Sequence, residues 1–532
     1  MTQFLDIFGF LSVLLRGFTL AFEALTVGGV IFLLSIARPV LISPLPANTQ
    51  KWLTWSAAML AANEIGYLAA NSVILVGSTD LGWSGVVGAR FWTAGMLTVA
   101  GALMVALTAR TTWMSRACPI ACVLILTGSL LTSHSFARLE HRGTVLACTL
   151  IHRVAAAAWI GGLPYLLLTL RRLQDRLDSE AVVSRFSRLA MIAVFMLMGA
   201  GLLLSYFYVG SFSAAGETIY GIMLLAKIFL TAVLLMLGAL NFEIVRAVRR
   251  GAAPELLPLR RFAEAEIGIG LTVLLAAASL TSTPPAIDVI TDRVPAKDIA
   301  ERMQPRWPAM ETPSVNQLSP ATPLGQQENS TLPGSFVPGE SVHPNTPADM
   351  AWSEYNHHWA GLVVFAIGVL SLLSPRFVWA RHWPLTFLGL ALFLLIRADS
   401  ENWPLGPRGF WESFEVAEVA QHRLFVLLIV AFAVFEWAVQ KGLLAPAKAG
   451  LVFPLVCAIG GALLLTHSHS LGNGEEEFLV ELSHIPMALL AVLAGWARWL
   501  EIRVENRTRV FAWLWPACFV LIGWVLLLYR EG

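Results

Sequence analysis

The chain contains little charge and few cysteines, and both shortages narrow the class of protein. Charged residues make up 13% of the 532 residues, hydrophobic residues make up 57%, and the mean hydropathy is +0.68. Because soluble globular domains carry about 25% charged residues, this composition is typical of a membrane protein. None of the five cysteines lies in a paired motif on the outer side, so we expect no disulfide framework.

Motifs of catalysis and of nucleotide use are also missing from the sequence. It contains no nucleophile–base motif and no metalloprotease signature, so we do not expect an enzyme. It contains no Gly-rich phosphate-binding loop, which argues against an ATP-driven pump. We expect the lipid bilayer as a partner, and no nucleic acid.

Long apolar runs fill most of the chain. A bilayer core of about 30 Å requires about 20 mostly apolar residues per helix. The sequence therefore predicts an all-α, polytopic transmembrane helical bundle of about fourteen spans. These lie near residues 9–36, 52–77, 90–109, 118–136, 145–170, 187–210, 219–245, 262–283, 357–375, 383–397, 419–440, 450–467, 483–500 and 510–529.

The spans fall into two groups, eight and six. Residues 1–283 form the first membrane domain, and residues 351–532 form a His-rich second one. Residues 284–350 are rich in proline and lack apolar periodicity, which predicts a linker outside the membrane.

Lys and Arg in short loops orient the spans, because positively charged flanks stay in the cytoplasm. The loops between spans 5 and 6 and between spans 7 and 8 are rich in arginine, whereas residues 211–218 contain no cation. The bias predicts that both termini lie outside. Ten of the eleven histidines then lie on the outer side, and His382 lies on the inner side.

Most of these outer histidines lie near the ends of predicted spans. Imidazole is a common ligand for copper, zinc and haem iron, although any one of them also fits an ordinary interfacial polar residue. The predicted metal ligands are His134, His152, His357, His358, His422, His467, His469 and His484.

A short pattern occurs in both membrane domains. A span ends in a Ser-His-Ser sequence that contains His134 or His469, and the next span opens with His152 or His484. Each copy predicts a helical hairpin with histidines facing each other at its outer end. Coincidence over so few residues is the alternative.

Six further side chains are candidates for a path through the membrane: Cys148, Met196, Met198, Glu23, Glu64 and Lys227. Sulfur ligands suit Cu(I), but plain packing also explains them. Ionisable groups at membrane depth should face the bundle interior. They predict either a polar lining or a buried ion pair, such as Lys227 with Glu23 or Glu64.

Several stretches of the chain form a set that is specific in order and spacing. They are Ser133-His134, His152 to Leu163, Arg185 to Ala190, Tyr220-Gly221, Lys227, Leu237 to Asn241, and Leu280 to Ala286. Together they resemble the copper-resistance protein D (CopD) family of bacterial inner-membrane proteins. The resemblance covers residues 120–286, and residues 1–120 more loosely. From Trp403 to Trp499 the chain resembles a C-terminal extension of longer members.

The resemblance implies a multi-pass protein of the bacterial inner (plasma) membrane that moves copper inward from the periplasm. It also implies a small periplasmic copper-binding partner of the CopC type. A membrane b-type cytochrome, with histidine pairs as axial ligands of haem b, is the alternative. No predicted span carries two histidines about four turns apart, which disfavours two stacked haems, but one haem at each hairpin stays open.

Overall fold

The structure is a computed structural model of the chain. It describes residues 2–41, 47–78, 82–173, 175–252, 255–289, 293–318, 346–400, 402–415, 417–466, 474–504 and 508–531. Over these residues the fold is all-α, as predicted, and no strand element is formed within them.

Thirteen helices in the described part of the chain are long and apolar enough to cross a membrane. With the shorter apolar helix near residue 458, they are numbered in chain order. They are α1 Phe8–Val40, α2 Ala47–Gly77, α3 Arg90–Thr108, α4 Met114–Leu131, α5 Arg142–Leu170, α6 Arg176–Val209, α7 Ile219–Arg249, α8 Leu257–Ser282, α9 Pro347–Leu373, α10 Trp379–Arg397, α11 His422–Gln440, α12 Val452–Leu464, α13 Phe478–Arg503 and α14 Arg509–Leu527.

Helix α12 is shorter than the span predicted there. Its 13 residues are about 20 Å long at 1.5 Å per residue, against a hydrocarbon core of about 30 Å. The other thirteen predicted spans each correspond to one long helix.

The chain divides into two compact units. The N-terminal unit consists of residues 10–216 and 223–290, and the C-terminal unit consists of residues 291–532 with residues 1–9 and 217–222. In the N-terminal unit, α3 packs against α2 and α4, and α5 packs against α6 and α8.

Two glycines let α1 and α5 approach each other backbone to backbone. A Cβ atom on Gly28 would overlap the carbonyl oxygen of Ala157, and one on Gly161 would overlap that of Ala24. Small residues allow such close approach between membrane helices. A π-helical turn, Ala157–Gly161, lies in α5 at this contact.

The C-terminal unit has an aromatic core. The ring centroids of Trp383 and Phe453 are 5.2 Å apart, and those of Trp383 and Trp515 are 5.5 Å apart. Around this core α9 packs along α14, and α13 contacts both α12 and α14.

Part of the Pro-rich segment packs against the C-terminal helices. It contains the short helix Ala296–Arg302. The backbone N–H of Ala309 donates to Nδ1 of His358 at 2.8 Å, and Arg397 donates to Oγ1 of Thr312 at 2.8 Å. Residues 319–345 of the predicted linker lie outside the described residues.

Candidate metal sites and membrane-embedded polar groups

Two histidines from different helices face each other in the C-terminal unit. The ring centroids of His357 on α9 and His484 on α13 are 6.3 Å apart, with the rings nearly perpendicular. Nδ1 of each ring donates to a carbonyl oxygen of its own helix at 2.9 Å, that of Ser353 and that of Val480 respectively. In a neutral imidazole this bond places the lone pair on Nε2, which is the tautomer that binds metals.

The side chains of Tyr529 and Glu531 lie beside this histidine pair. Tyr529 stacks on His357 with ring centroids 3.8 Å apart. Its hydroxyl donates to Oε2 of Glu531 at 2.6 Å, and Ser353 Oγ donates to the same oxygen at 2.5 Å. Burial and the neighbouring Glu531 charge raise the pKa of Tyr529 well above its usual value. No sequence pattern pointed to Tyr529 or Glu531, because both residues follow the last span and belong to no motif.

The pair alone is an incomplete set of metal ligands. Within the described residues, no three His, Cys, Asp or Glu side chains come close enough to hold a metal ion together. The predicted ligands His467 and His469 lie outside the described residues. Their role with His484 remains a prediction.

His358 is held on both sides of its ring by backbone groups. Its Nδ1 accepts from the N–H of Ala309 at 2.8 Å, and its Nε2 lies 3.0 Å from the carbonyl oxygen of Tyr529. Since both ring nitrogens already have partners, this geometry supports a structural role, and the predicted metal role is untested.

His422 lies at the start of α11, paired with an acidic residue. Its Nδ1 is 2.8 Å from Oδ1 of Asp399, which follows the end of α10. A carboxylate on one ring nitrogen is a common way to orient a histidine, whether for a ligand or for a structural contact.

His134 and His152 in the N-terminal unit have different neighbours. His134 Nε2 lies 2.9 Å from the carbonyl oxygen of Thr281, at the end of α8. His152 Nδ1 lies 3.2 Å from the carbonyl oxygen of Leu197 on α6. Burial lowers the pKa of His134 below its usual value. These contacts do not bring the two rings to one partner, so the predicted ligand pair stays a prediction.

The segments that carry these two histidines are nevertheless joined by side-chain hydrogen bonds. Ser135 follows His134, and its hydroxyl lies 2.5 Å from that of Thr149, three residues before His152. The Ser135 hydroxyl also lies 2.7 Å from that of Tyr208. Contacts between hydroxyl groups therefore join the two arms of the predicted hairpin about one helical turn from His152.

Glu23 forms a buried ion pair, with a partner that differs from the expected one. Its carboxylate lies 3.2 Å from Nη1 of Arg153, and Ser129 Oγ donates to it at 2.6 Å. Arg153 also donates to Ser129. An ion pair of Lys227 with Glu23 or Glu64 was one of the two expected arrangements, but within the described residues Lys227 forms no ion pair and lies in electrostatic range of Arg153 and His152. Which cation pairs with Glu23 depends on helix rotation, which the sequence does not specify.

Glu64 is the second buried carboxylate of this polar interior. Its Oε2 accepts from Thr19 Oγ1 at 2.8 Å, and Asn63 donates to the same Thr19 hydroxyl at 2.9 Å. One helical turn from Thr19, Arg16 donates to Thr132 at 3.1 Å. Polar side chains of α1 and α2, with the neighbouring residues of α4 and α5, therefore run through the N-terminal unit.

The three predicted sulfur ligands lie in different surroundings. Cys148 is buried in α5, whereas Met196 and Met198 on α6 are 47% and 39% exposed. Exposed apolar side chains on a membrane helix face lipid. The exposure of these two methionines therefore favours contact with lipid. Their predicted role in a copper pathway is untested.

Comparison with known proteins supports the resemblance. Residues 180–280 match the family model described as Copper resistance protein D. The chain carries a CopD-family region. The CopD region extends from the start of α6 almost to the end of α8. It contains no histidine, so the match does not bear on the histidine sites.

One relative with a copper-transport name is similar to part of the chain. The chain is 33% identical over 163 residues to the Copper transport protein CutJ of Bacillus subtilis (strain 168). The alignment covers 30% of this chain and 29% of that protein, so the chain spans less than a third of the relative. No solved structure shows a significant match.

Proposed function

We propose that this chain binds copper at outer histidine sites and moves it across the bacterial inner membrane toward the cytoplasm. The CopD-family region and the copper-transport relative support copper as the substrate. Many apolar helices support a multi-pass membrane protein. A small periplasmic copper-binding protein of the CopC type is the proposed donor.

The arrangement of His357 and His484 is the observation that supports the proposed copper site. A metal held about 2 Å from each ring nitrogen places two imidazole centres about 5 to 6.5 Å apart, depending on the angle at the metal, and the observed separation of 6.3 Å lies at the wide end of that range. The contacts of both Nδ1 atoms with carbonyl oxygens favour the tautomer that carries the lone pair on Nε2. His467 or His469, from the segment that precedes α13, completes the ligand set in this proposal.

Passage belongs to the N-terminal unit, which carries the CopD region. Two of its buried carboxylates, Glu23 and Glu64, provide the polar interior that a cation requires at membrane depth. His134 and His152, at outer helix ends in the predicted orientation, are the proposed entry groups of this unit.

Metal analysis of the purified full chain, with its absorption spectrum, tests copper binding. We expect bound copper and no Soret band, and we expect His357→Ala and His484→Ala each to weaken copper binding about tenfold or more. The matched control is His141→Ala, because His141 is exposed and its ring contacts Phe207 alone among the described aromatic rings. A Soret band without copper would establish the haem alternative.

Reporter fusions test the proposed orientation. Fusions after residue 180 and after residue 255 should behave as cytoplasmic, and a fusion near residue 320 should behave as periplasmic. A cytoplasmic result at residue 320 would place the histidine sites on the wrong side of the membrane for uptake.

A further inference from the structure

The N-terminal unit contains a cavity of about 350 Å³ that no histidine lines. It lies among α5, α6, α7 and α8, and most of its lining is hydrocarbon. Its walls carry four aromatic rings, those of Trp159, Phe186, Phe195 and Phe242. Its volume is in the range of pockets that bind small organic molecules, about 300–1,000 Å³.

The cavity is accessible from the lipid side. Phe195, on the rim, is 79% exposed, whereas Trp159 and Phe186 deeper in the cavity are 3% and 4% exposed. All of these residues belong to membrane-spanning helices, so an occupant enters from the bilayer. This access favours a lipid-soluble ligand over an ion.

Polar groups concentrate at one place in this apolar lining. Glu266 is 2% exposed and accepts from Nδ2 of Asn241 at 2.5 Å. Trp159 also hydrogen-bonds the Glu266 carboxyl group. The other polar atom of the amide, Asn241 Oδ1, is buried and accepts no hydrogen bond from any residue that the structure describes.

A buried acceptor that is left unpaired destabilises the protein. A ligand that donates a hydrogen bond to Asn241 Oδ1 recovers that cost, whereas a plain acyl chain leaves the oxygen unpaired. The aromatic walls suit a flat ring, because rings stack on one another favourably.

We propose that this cavity binds a membrane quinol, with a ring hydroxyl donating to Asn241 Oδ1 and the ring lying among the four aromatic side chains. The oxidised quinone has carbonyl oxygens in place of the hydroxyl groups and cannot make that donation. The site therefore discriminates between the two forms. This proposal does not rest on copper binding.

Native mass spectrometry of the full chain, with added decylubiquinol under anaerobic conditions, tests the site. We expect one quinol adduct on the wild-type protein, and about tenfold weaker binding of decylubiquinone, since the hydrogen bond is lost. Absence of a quinol adduct, or equal binding of the two forms, would overturn the proposal.

Two glycines provide a matched pair of variants. A Cβ on Gly238, in the lining, meets its nearest neighbour atom on Trp159 at 3.9 Å, and Gly199 on α6 has open space around it. Gly238→Leu should abolish the adduct by filling the cavity, and Gly199→Leu should leave it unchanged. Asn241→Ala should weaken quinol binding about tenfold. If Gly238→Leu does not fold, Asn241→Ala alone tests whether quinol binds in this cavity. Wild-type binding by both cavity variants would contradict the site.

Discussion

Nη1 of Arg153 lies 3.2 Å from Oε2 of Glu23 inside the N-terminal unit, with side-chain exposures of 13% and 5%. Ser129 contacts both groups. The pair joins α1 to α5 at the level where Gly28 allows the two backbones to touch. Charge and packing therefore fix the same helix contact.

Breaking this ion pair from either side should destabilise the protein. Glu23→Gln and Arg153→Gln each leave one buried charge uncompensated, which costs about 3–5 kcal/mol. The double variant should lose less than the sum of the two single losses. Unfolding in detergent, with protein abundance in membranes, measures the effect. Single variants as stable as the wild type would show that the pair contributes nothing to folding.

The glycine contact makes a sharper prediction about packing. Gly161→Ala should sharply reduce the amount of folded protein, because its Cβ overlaps the carbonyl oxygen of Ala24. Gly238→Ala is the matched control, since its Cβ meets only an ordinary contact at 3.9 Å. Size-exclusion profiles of the two variants should differ clearly. Equal yields of folded protein would mean that α1 and α5 do not pack this closely.

Substitutions of the neighbouring His357 and His358 on α9 should separate an effect on stability from an effect on copper binding. His358→Ala removes two hydrogen bonds to backbone groups, so it should lower the free energy of unfolding by about 1–3 kcal/mol. Copper per folded protein should stay unchanged. His357→Ala should show the opposite pattern. Loss of copper in His358→Ala at normal stability would instead make His358 a ligand.

His134 should make folding sensitive to acid. Burial lowers its pKa in the folded protein below the unfolded value of about 6.5. Between those two values the unfolded chain binds more protons, so stability rises with pH and is lost as the pH falls below about 6.5. His134→Gln removes this contribution. Its Tm should drop less than the wild-type Tm between about pH 8 and about pH 5. Identical drops would contradict a buried neutral His134.

The helical spans were predictable because bilayer thickness sets the length of each apolar run. Thirteen long helices match the predicted runs. The short length of α12 was not predicted. The flanking residues Leu465 and Thr466 are apolar or weakly polar, so they lengthen the apolar run, although the helix ends at Leu464.

The polar contacts were only partly predictable. Hydropathy shows that Glu23 must face the interior, but not that Arg153 is its partner, since that depends on the rotation of α5. Asn241 and Glu266 lie 25 residues apart on α7 and α8. Their contact in the cavity wall has no signal in sequence spacing. Glu531, in the last two residues, meets His357 through Tyr529 only because α14 returns beside α9.

Copper uptake by sealed proteoliposomes that contain the full chain tests the central claim most directly. The account predicts time-dependent accumulation of copper when the metal is added at the periplasmic face, with a rate reduced about tenfold by the His357→Ala/His484→Ala double variant at equal protein content. His141→Ala should match the wild type. Uptake by the double variant at the wild-type rate, or no uptake by the wild type, would contradict copper transport through these histidines.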